Sequence, residues 1–365
     1  MRPIALIGGG FVADLYMRSF ALYPELRIAG VHDRDPARLA AFAGHWNLTP
    51  HDRLEALLQA LPAGALVLNL TNPSEHVAVS RAVLAAGHHL FSEKPMTLSL
   101  ADAQALMQQA ADAGLHLASA PSSVLGETAQ TLGHALRAGQ VGRPLLAYAE
   151  LDDGFIPQAP TAHWHSESGA PWPAADEFAT GCTLEHAGYY LSWLIGFFGP
   201  VARVVSATAN VTGAGAAPDF ASAVVYFADG PVLRLTTSIV APHNHGLQIV
   251  TDKGVLKTAR AWDNAAPVRF HRRLTLRRRL LEHPLGRRIR LSGRTHPKVR
   301  RFGAAAMNFA LGPVEMLAAL EAGRPPRLAG AYALHLTEVT LAVASGESRD
   351  MTTSCAPLEP MPWAR

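Results

Sequence analysis

Ten residues near the start of the chain constrain its fold more than any others. Ile4-Ala5-Leu6-Ile7 is a short apolar run, and Gly8-Gly9-Gly10 follows it directly. An unbroken apolar run closed by glycines predicts a strand buried on both faces, as in a parallel sheet. A helical pattern begins at Phe11-Val12-Ala13. The spacing Gly8-x-Gly10-x-x-Ala13 fits a dinucleotide fingerprint with alanine in its third place. Each residue type has a physical reason. Gly8 permits a tight turn, Gly10 admits a pyrophosphate to the backbone, and Ala13 lets helix and strand pack closely. The N–H groups of Phe11 and Val12 then open the helix toward the anion.

The next apolar run, 27–32, ends at Asp33. That carboxylate stands about 20 residues beyond the motif, where the fingerprint needs an acceptor for ribose hydroxyls. Asp33 favours NAD because it repels a 2′-phosphate; Arg34, next in sequence, is the feature that would serve NADP. Strand patterns at 3–7, 27–32, 65–70, 88–92 and 115–119 alternate with helical ones at 11–22, 36–44, 52–60, 74–86 and 99–113. This alternation predicts a doubly wound parallel sheet over residues 1–120, with ligands at the carboxyl ends of its strands.

Two post-strand segments carry candidate chemistry. Thr71-Asn72-Pro73, with His76 three residues on, follows the third strand. Asn72 and Pro73 suit a helix start and equally suit a place beside the cofactor. Glu93-Lys94-Pro95 follows the fourth strand. An ammonium at that edge would stabilise negative charge developing on a substrate oxygen.

The glycine motif, Asn72-Pro73 with His76, and Glu93-Lys94-Pro95 together resemble the glucose–fructose oxidoreductase, inositol dehydrogenase and rhizopine catabolism (Gfo/Idh/MocA) family. The resemblance implies an N-terminal Rossmann domain and a C-terminal α/β domain with a large, open, mostly antiparallel sheet. It also implies an NAD(P)-dependent oxidoreductase of sugars or cyclitols, and a homodimer or homotetramer joined through that sheet. Two other activities fall within it: a glycosidase that oxidises transiently with no net redox, and a non-catalytic dinucleotide sensor.

Residues 121–365 show the expected change of pattern. A helix is predicted from Ser122 to Ala138, a strand from Leu145 to Leu151, and β-like runs at 201–210, 220–228, 231–239, 246–251 and 254–258. Helical patterns return at 304–322 and 330–345, the latter with His335 and Glu338 on one face. The Pro- and Gly-rich stretch from His163 to Pro173 predicts a long ordered loop. Its Trp164, His165 and Trp172 are candidate sugar contacts, the tryptophans equally candidate anchors. The next helix carries His186 and Tyr190, four apart and thus expected on one face. The resemblance places them where many relatives have Asp and His, and so assigns them, with Lys94, to substrate binding and proton transfer. His243 and His245 are half a metal site without an evident third ligand, so no metal is expected.

Composition closes off several classes. At 365 residues the chain has room for two cores. No apolar run reaches the length of a membrane span, the apolar start passes into Gly8 and Asp14 unlike a signal peptide, and two cysteines make no disulfide framework. A cytoplasmic protein is expected. Residues 268–302 hold 13 of the 32 Lys and Arg and one acid, Glu282. This segment predicts an insertion: a solvated flap, a grip on an anionic substrate, or contact with an anionic membrane. No nucleic-acid motif accompanies the charge.

Overall fold

The computed structural model describes residues 3–260 and 262–365. Its contacts divide the chain into two units.

The first unit holds the chain up to Ser122, with 159–180 and 309–337 added to it. Strands β1 (Ile4–Ile7), β2 (Ile28–His32), β3 (Leu66–Asn69), β4 (His89–Ser92) and β5 (Leu117–Ser119) pair in parallel in the order β2-β1-β3-β4-β5. Helices α1 (Phe11–Phe20), α2 (Pro36–Trp46), α3 (Leu54–Gln59), α4 (His76–Ala85) and α5 (Leu100–Asp112) are the crossovers. β1, β3 and β4 are buried along their whole length, which is why they show no alternation. Ala5, Val67 and Leu90 pack with Leu57, Val83 and Leu106 from the helices. The parallel strands bring Gly8, Asp33, Leu70 and Glu93 to the carboxyl edge of one sheet.

The second unit holds 123–158, 181–308 and 338–365. It begins with α6 (Glu127–Arg137) and β6 (Pro144–Asp152). The chain then passes through the first unit's α7 (Ala174–Thr180) before α8 (Gly188–Phe198). Next come β7 (Val201–Ala209), β8 (Phe220–Phe227), β9 (Val232–Ser238), β10 (Leu247–Thr251), β11 (Gly254–Thr258), β12 (Val268–Leu276), β13 (Arg279–Glu282) and β14 (Arg287–Ile289). Helix α9 (Leu311–Glu321) belongs to the first unit, α10 (Ala331–Ala344) passes from one to the other, and β15 (Ser348–Asp350) is in the second. The ten strands form one sheet in the order β13-β12-β11-β10-β6-β9-β8-β7-β15, with β14 on β12. β6 and β9 run parallel and the other pairings are antiparallel. α8 is apolar almost all round and correspondingly buried, and its Trp193 donates to Ser123 Oγ at 2.9 Å.

Two expectations change. The helix predicted from 304 begins at Leu311, after a single 3-10 turn over Gly303–Ala306. Pro313 explains this, because proline is tolerated only in a helix's first turn. Residues 174–180, for which no element was predicted, form the short helix α7. The basic segment is built into the sheet. Its β12–β13 hairpin turns at Arg277 (φ 54°) and leaves Leu276, Leu280 and every residue of β13 exposed.

Glu338 of α10 has a structural part. Its carboxylate accepts from the backbone N–H and hydroxyl of both Thr352 and Thr353, at 2.5–2.8 Å. Burial alone would raise its pKa, but these hydrogen bonds outweigh it and hold the carboxyl below its usual range. A depressed folded-state pKa adds stability above the unfolded carboxyl's value of about 4.3, and that stability is lost as pH falls through the folded value. Glu338→Gln should therefore lower unfolding free energy by about 1–3 kcal/mol at neutral pH. In denaturant titrations the gap to wild type should close below about pH 4.

Candidate functional site

In the first unit the site is built on Gly8 and Asp33. Gly8 has φ +99°, and a side chain there would bring Cβ within 2.6 Å of the Leu70 carbonyl, so only glycine fits. Gly10 caps α1 through its backbone alone, and a Cβ on it would meet nothing within 4 Å. That open approach, ahead of the partly exposed Phe11 and Val12, is what a pyrophosphate needs. Ala13 is fully buried. Asp33 Oδ2 accepts the Gly9 N–H at 2.8 Å and Oδ1 accepts the Asp35 N–H at 2.9 Å. The carboxylate is thus locked at the end of β2, with lone pairs left for ribose hydroxyls. Arg34 projects to solvent and pairs with Glu75 at 3.0 Å.

The segments after β3 and β4 are braced together. His76 is fully buried; its Nδ1 lies 2.7 Å from the Pro95 carbonyl and its Nε2 2.9 Å from the Thr71 carbonyl. Burial pushes its imidazole below the ordinary pKa, against those two carbonyls. His76 therefore holds the loops, and a direct contact with cofactor gives way to this bracing part. Thr71 Oγ1 donates to Asn69 Oδ1 at 2.6 Å, while Asn72 and Pro73 stay partly exposed. Glu93 is nearly buried; its Oε1 accepts the Tyr16 hydroxyl at 2.6 Å and its Oε2 the Lys94 N–H at 2.9 Å. Lys94, half-buried, is thereby fixed at the end of β4. Tyr16 was not foreseen; its place three residues beyond Ala13 was the available clue.

The polar stretch 163–178 folds against the same unit. Ser168 donates to Asp14 Oδ2 at 2.7 Å, and Glu167 pairs with Arg18. Burial raises the Asp176 pKa, opposed by a hydrogen bond from Asn72 and by Arg34 and Arg38. Trp164 and Trp172 pack edge to face, centroids 5.3 Å apart, both partly exposed, and His165 is exposed.

In the second unit the groups converge around Trp262. His186 sits in one turn of π-helix, Thr183–Ala187, before α8. The His186 ring lies edge-on to Trp262 at 6.0 Å. Tyr190 instead packs on Trp193 at 5.2 Å and donates its hydroxyl to the His245 carbonyl at 2.5 Å. It is fully buried, and that burial pushes its pKa up. The expected contact of Tyr190 with substrate and its share in proton transfer are corrected accordingly: it positions the His245 backbone. Trp262 also receives Tyr189 at 4.2 Å and His245 at 4.7 Å.

Asn244 pairs with Asp152 through reciprocal backbone bonds of 2.9 and 3.0 Å. That pairing sets His243 and His245 against Asp153: His243 Nδ1 and His245 Nε2 lie 3.4 and 3.7 Å from Asp153 Oδ1. Burial would raise the Asp153 carboxyl, but His245 first, then His186 and His243, hold it below its usual range. Burial keeps His245 below the ordinary imidazole value. A cavity of about 270 Å³ is lined by His243, His245, Trp262, Arg260, Asp263, Lys298 and Arg301 among others.

Residues 2–120 match the model of an oxidoreductase family with an NAD-binding Rossmann fold, and 129–257 match the GFO/IDH/MocA C-terminal domain. The chain belongs to this family. It is 28% identical to the D-apiose dehydrogenase of Paraburkholderia graminis, over 62% of this chain and 57% of that protein. It is 33% identical to the UDP-N-acetylglucosamine 3-dehydrogenase of Acidithiobacillus ferrooxidans, over 31% and 34%. These matches thus span only about a third to just over half of the curated relatives. The WlbA dehydrogenase from Bordetella pertussis, solved with NADH and UDP-GlcNAcA, superposes with a TM-score of 0.73 at 18% identity, covering 96% of this chain and 97% of that one. The first unit carries the NAD-binding Rossmann domain of this family, and its Gly8–Asp33 cradle fits the cofactor.

Asp33→Ala removes the anchor of Gly9 and the carboxylate expected to accept from the ribose. We expect NADH affinity to fall about 10- to 100-fold in fluorescence titrations, about 1.4–2.7 kcal/mol, with the NADPH-to-NADH preference moving toward NADPH.

Proposed function

We propose that this protein is an NAD-dependent dehydrogenase that oxidises a secondary alcohol of a sugar derivative carrying negative charge. The observation that carries it is the fixed Glu93–Lys94 pair on the same sheet edge as the Gly8–Asp33 cradle. When bound, NAD supplies the hydride acceptor. The carbinol C–H bond breaks with its electron pair leaving as hydride, the O–H proton goes to a protein base, and a carbonyl forms. Lys94 donates to the substrate oxygen and offsets its developing negative charge. The family resemblance assigns that part to His186, imidazole being a competent general base. Thr71, Asn72 and Pro73 flank the cofactor, and Trp164, His165 and Trp172 are the first unit's sugar contacts.

The cavity of the second unit supports a negatively charged substrate. Arg260, Lys298 and Arg301 line it against one acid, Asp263, with Arg260 3.5 Å from Asp263 and Lys298 2.9 Å from Glu127. A phosphate, diphosphate or uronate fits such a wall. Two relatives named above act on or bind UDP-sugars, and a sugar nucleotide is the preferred class. The sheet face bearing Tyr148, Tyr226 and Arg234 suits pairing with a second copy in a homodimer or homotetramer. No helix among the described residues is long and apolar enough to cross a membrane.

The test is NADH formation with a panel of neutral sugars, uronic acids and UDP-sugars. Net NADH with an anionic member is expected. A tightly held cofactor without net NADH would favour transient oxidation instead, and binding without turnover would favour a sensor. Lys94→Met should lower kcat about 100- to 1,000-fold while the NADH dissociation constant changes less than about twofold. Arg301→Glu should raise KM for the anionic substrate about tenfold, roughly 1.4 kcal/mol, and leave neutral sugars unaffected.

A further inference from the structure

We propose that Asp153, His243 and His245 form a binding site for one divalent transition-metal ion of the zinc class. Two segments some ninety residues apart supply these groups, and their donor atoms all lie within 4.8 Å of one another. The two His-to-carboxylate separations, 3.4 and 3.7 Å, are informative. Ligand bonds of ~2.0–2.2 Å around a tetrahedral ion place neighbouring donors ~3.3–3.6 Å apart. The His243 separation falls in that range and the His245 separation just beyond it, both longer than an ordinary hydrogen bond. Two imidazole nitrogens and one carboxylate oxygen are a set suited to zinc, leaving a coordination position open.

A second observation points the same way. His245 is 3% exposed, and its buried Nε2 makes no hydrogen bond of ordinary length, facing Asp153 Oδ1 at 3.7 Å. An orphaned nitrogen in such a place costs free energy unless something satisfies it. The Tyr190 hydroxyl on the His245 carbonyl and Trp262 against its ring hold the imidazole in this orientation. Burial favours its neutral form, the form that ligates. His243 is 57% exposed at its side chain and gives an ion a route in. His243 and His245 also line the 270 Å³ cavity, where an oxygen of a bound molecule would meet the open position.

This site is independent of the dehydrogenase reading, and NADH binding serves as the control for it. The full chain, stripped with chelator and dialysed against Zn2+, is analysed by elemental mass spectrometry and by calorimetric titration. About one zinc per chain is expected, with a higher melting temperature for the loaded form. His243→Ala, at an exposed position, and Asp153→Asn should each weaken zinc binding at least tenfold and abolish that temperature rise while NADH binding persists. Co2+ in place of Zn2+ should give visible absorption bands of a tetrahedral N/O site in wild type only. Failure of wild type to bind Zn2+, Co2+ or Mn2+ would overturn the proposal. So would zinc binding of equal strength in wild type and both variants.

Discussion

The hydrogen bond from the Gly9 N–H to the Asp33 carboxylate is the constraint on which the first unit's site depends. It joins the end of β1 to the end of β2 at the point where both strands give way to helices. Gly8 has turned the backbone so that this N–H faces Asp33, and the close Leu70 carbonyl leaves no room for any other residue there. A buried carboxylate is costly unless it is hydrogen-bonded; the backbone amides of Gly9 and Asp35 meet that requirement. One pair of amides therefore fixes both the anion-binding turn and the ribose acceptor. The same economy recurs at Glu93, whose two oxygens are held by Tyr16 and by the N–H of the lysine it precedes.

The second unit reaches its polar cluster by other means. Period-two alternation puts His243 and His245 on one side of their segment, with Asn244 between them facing Asp152. The Asn244–Asp152 bridge then brings Asp153 opposite the histidines. Because β6 and β9 run parallel in register through Asp152 and Ser238, Asp153 continues that register by donating to the Ser238 carbonyl at 2.9 Å. A backbone ladder thus fixes the carboxylate, whereas a buried phenol and an indole fix the imidazole. Rigid backbone on one side and packed aromatics on the other give the cluster little freedom to collapse onto itself.

Much of the first unit was legible because its signals are local. A buried parallel strand is a run of apolar residues, a phosphate turn is a pattern of glycines, and a ribose acceptor lies at a fixed distance along the chain. Asp33 and Glu93-Lys94 could be placed from those rules alone. The second unit's cluster was not legible, because its members come from positions 153, 186, 243, 245 and 262, joined by one β-bridge and by ring packing. His243 and His245 were visible as two possible ligands; Asp153, some ninety residues earlier, was not visible as their third neighbour. Tyr190 was legible as a residue four beyond His186, but the partner of its hydroxyl, the His245 carbonyl, lies 55 residues further on and was not.

The Arg-rich segment shows how one compositional signal can cover two physical roles. Beyond Phe270, β12 and the short strands β13 and β14 that end the sheet are mostly exposed, and arginines stand among their leucines. Charged side chains on such an edge oppose further strand addition, so the charge there protects the fold. From Gly293 to Phe302 the chain leaves the sheet, and Lys298 and Arg301 line the cavity beside His243 and His245. Within a walled cavity, field from fixed cations is less screened than on an open surface, and it concentrates anions. The excess of 13 basic residues over one acid is therefore not a single patch. Its larger part guards an edge, and the few cations that follow give the cavity its sign.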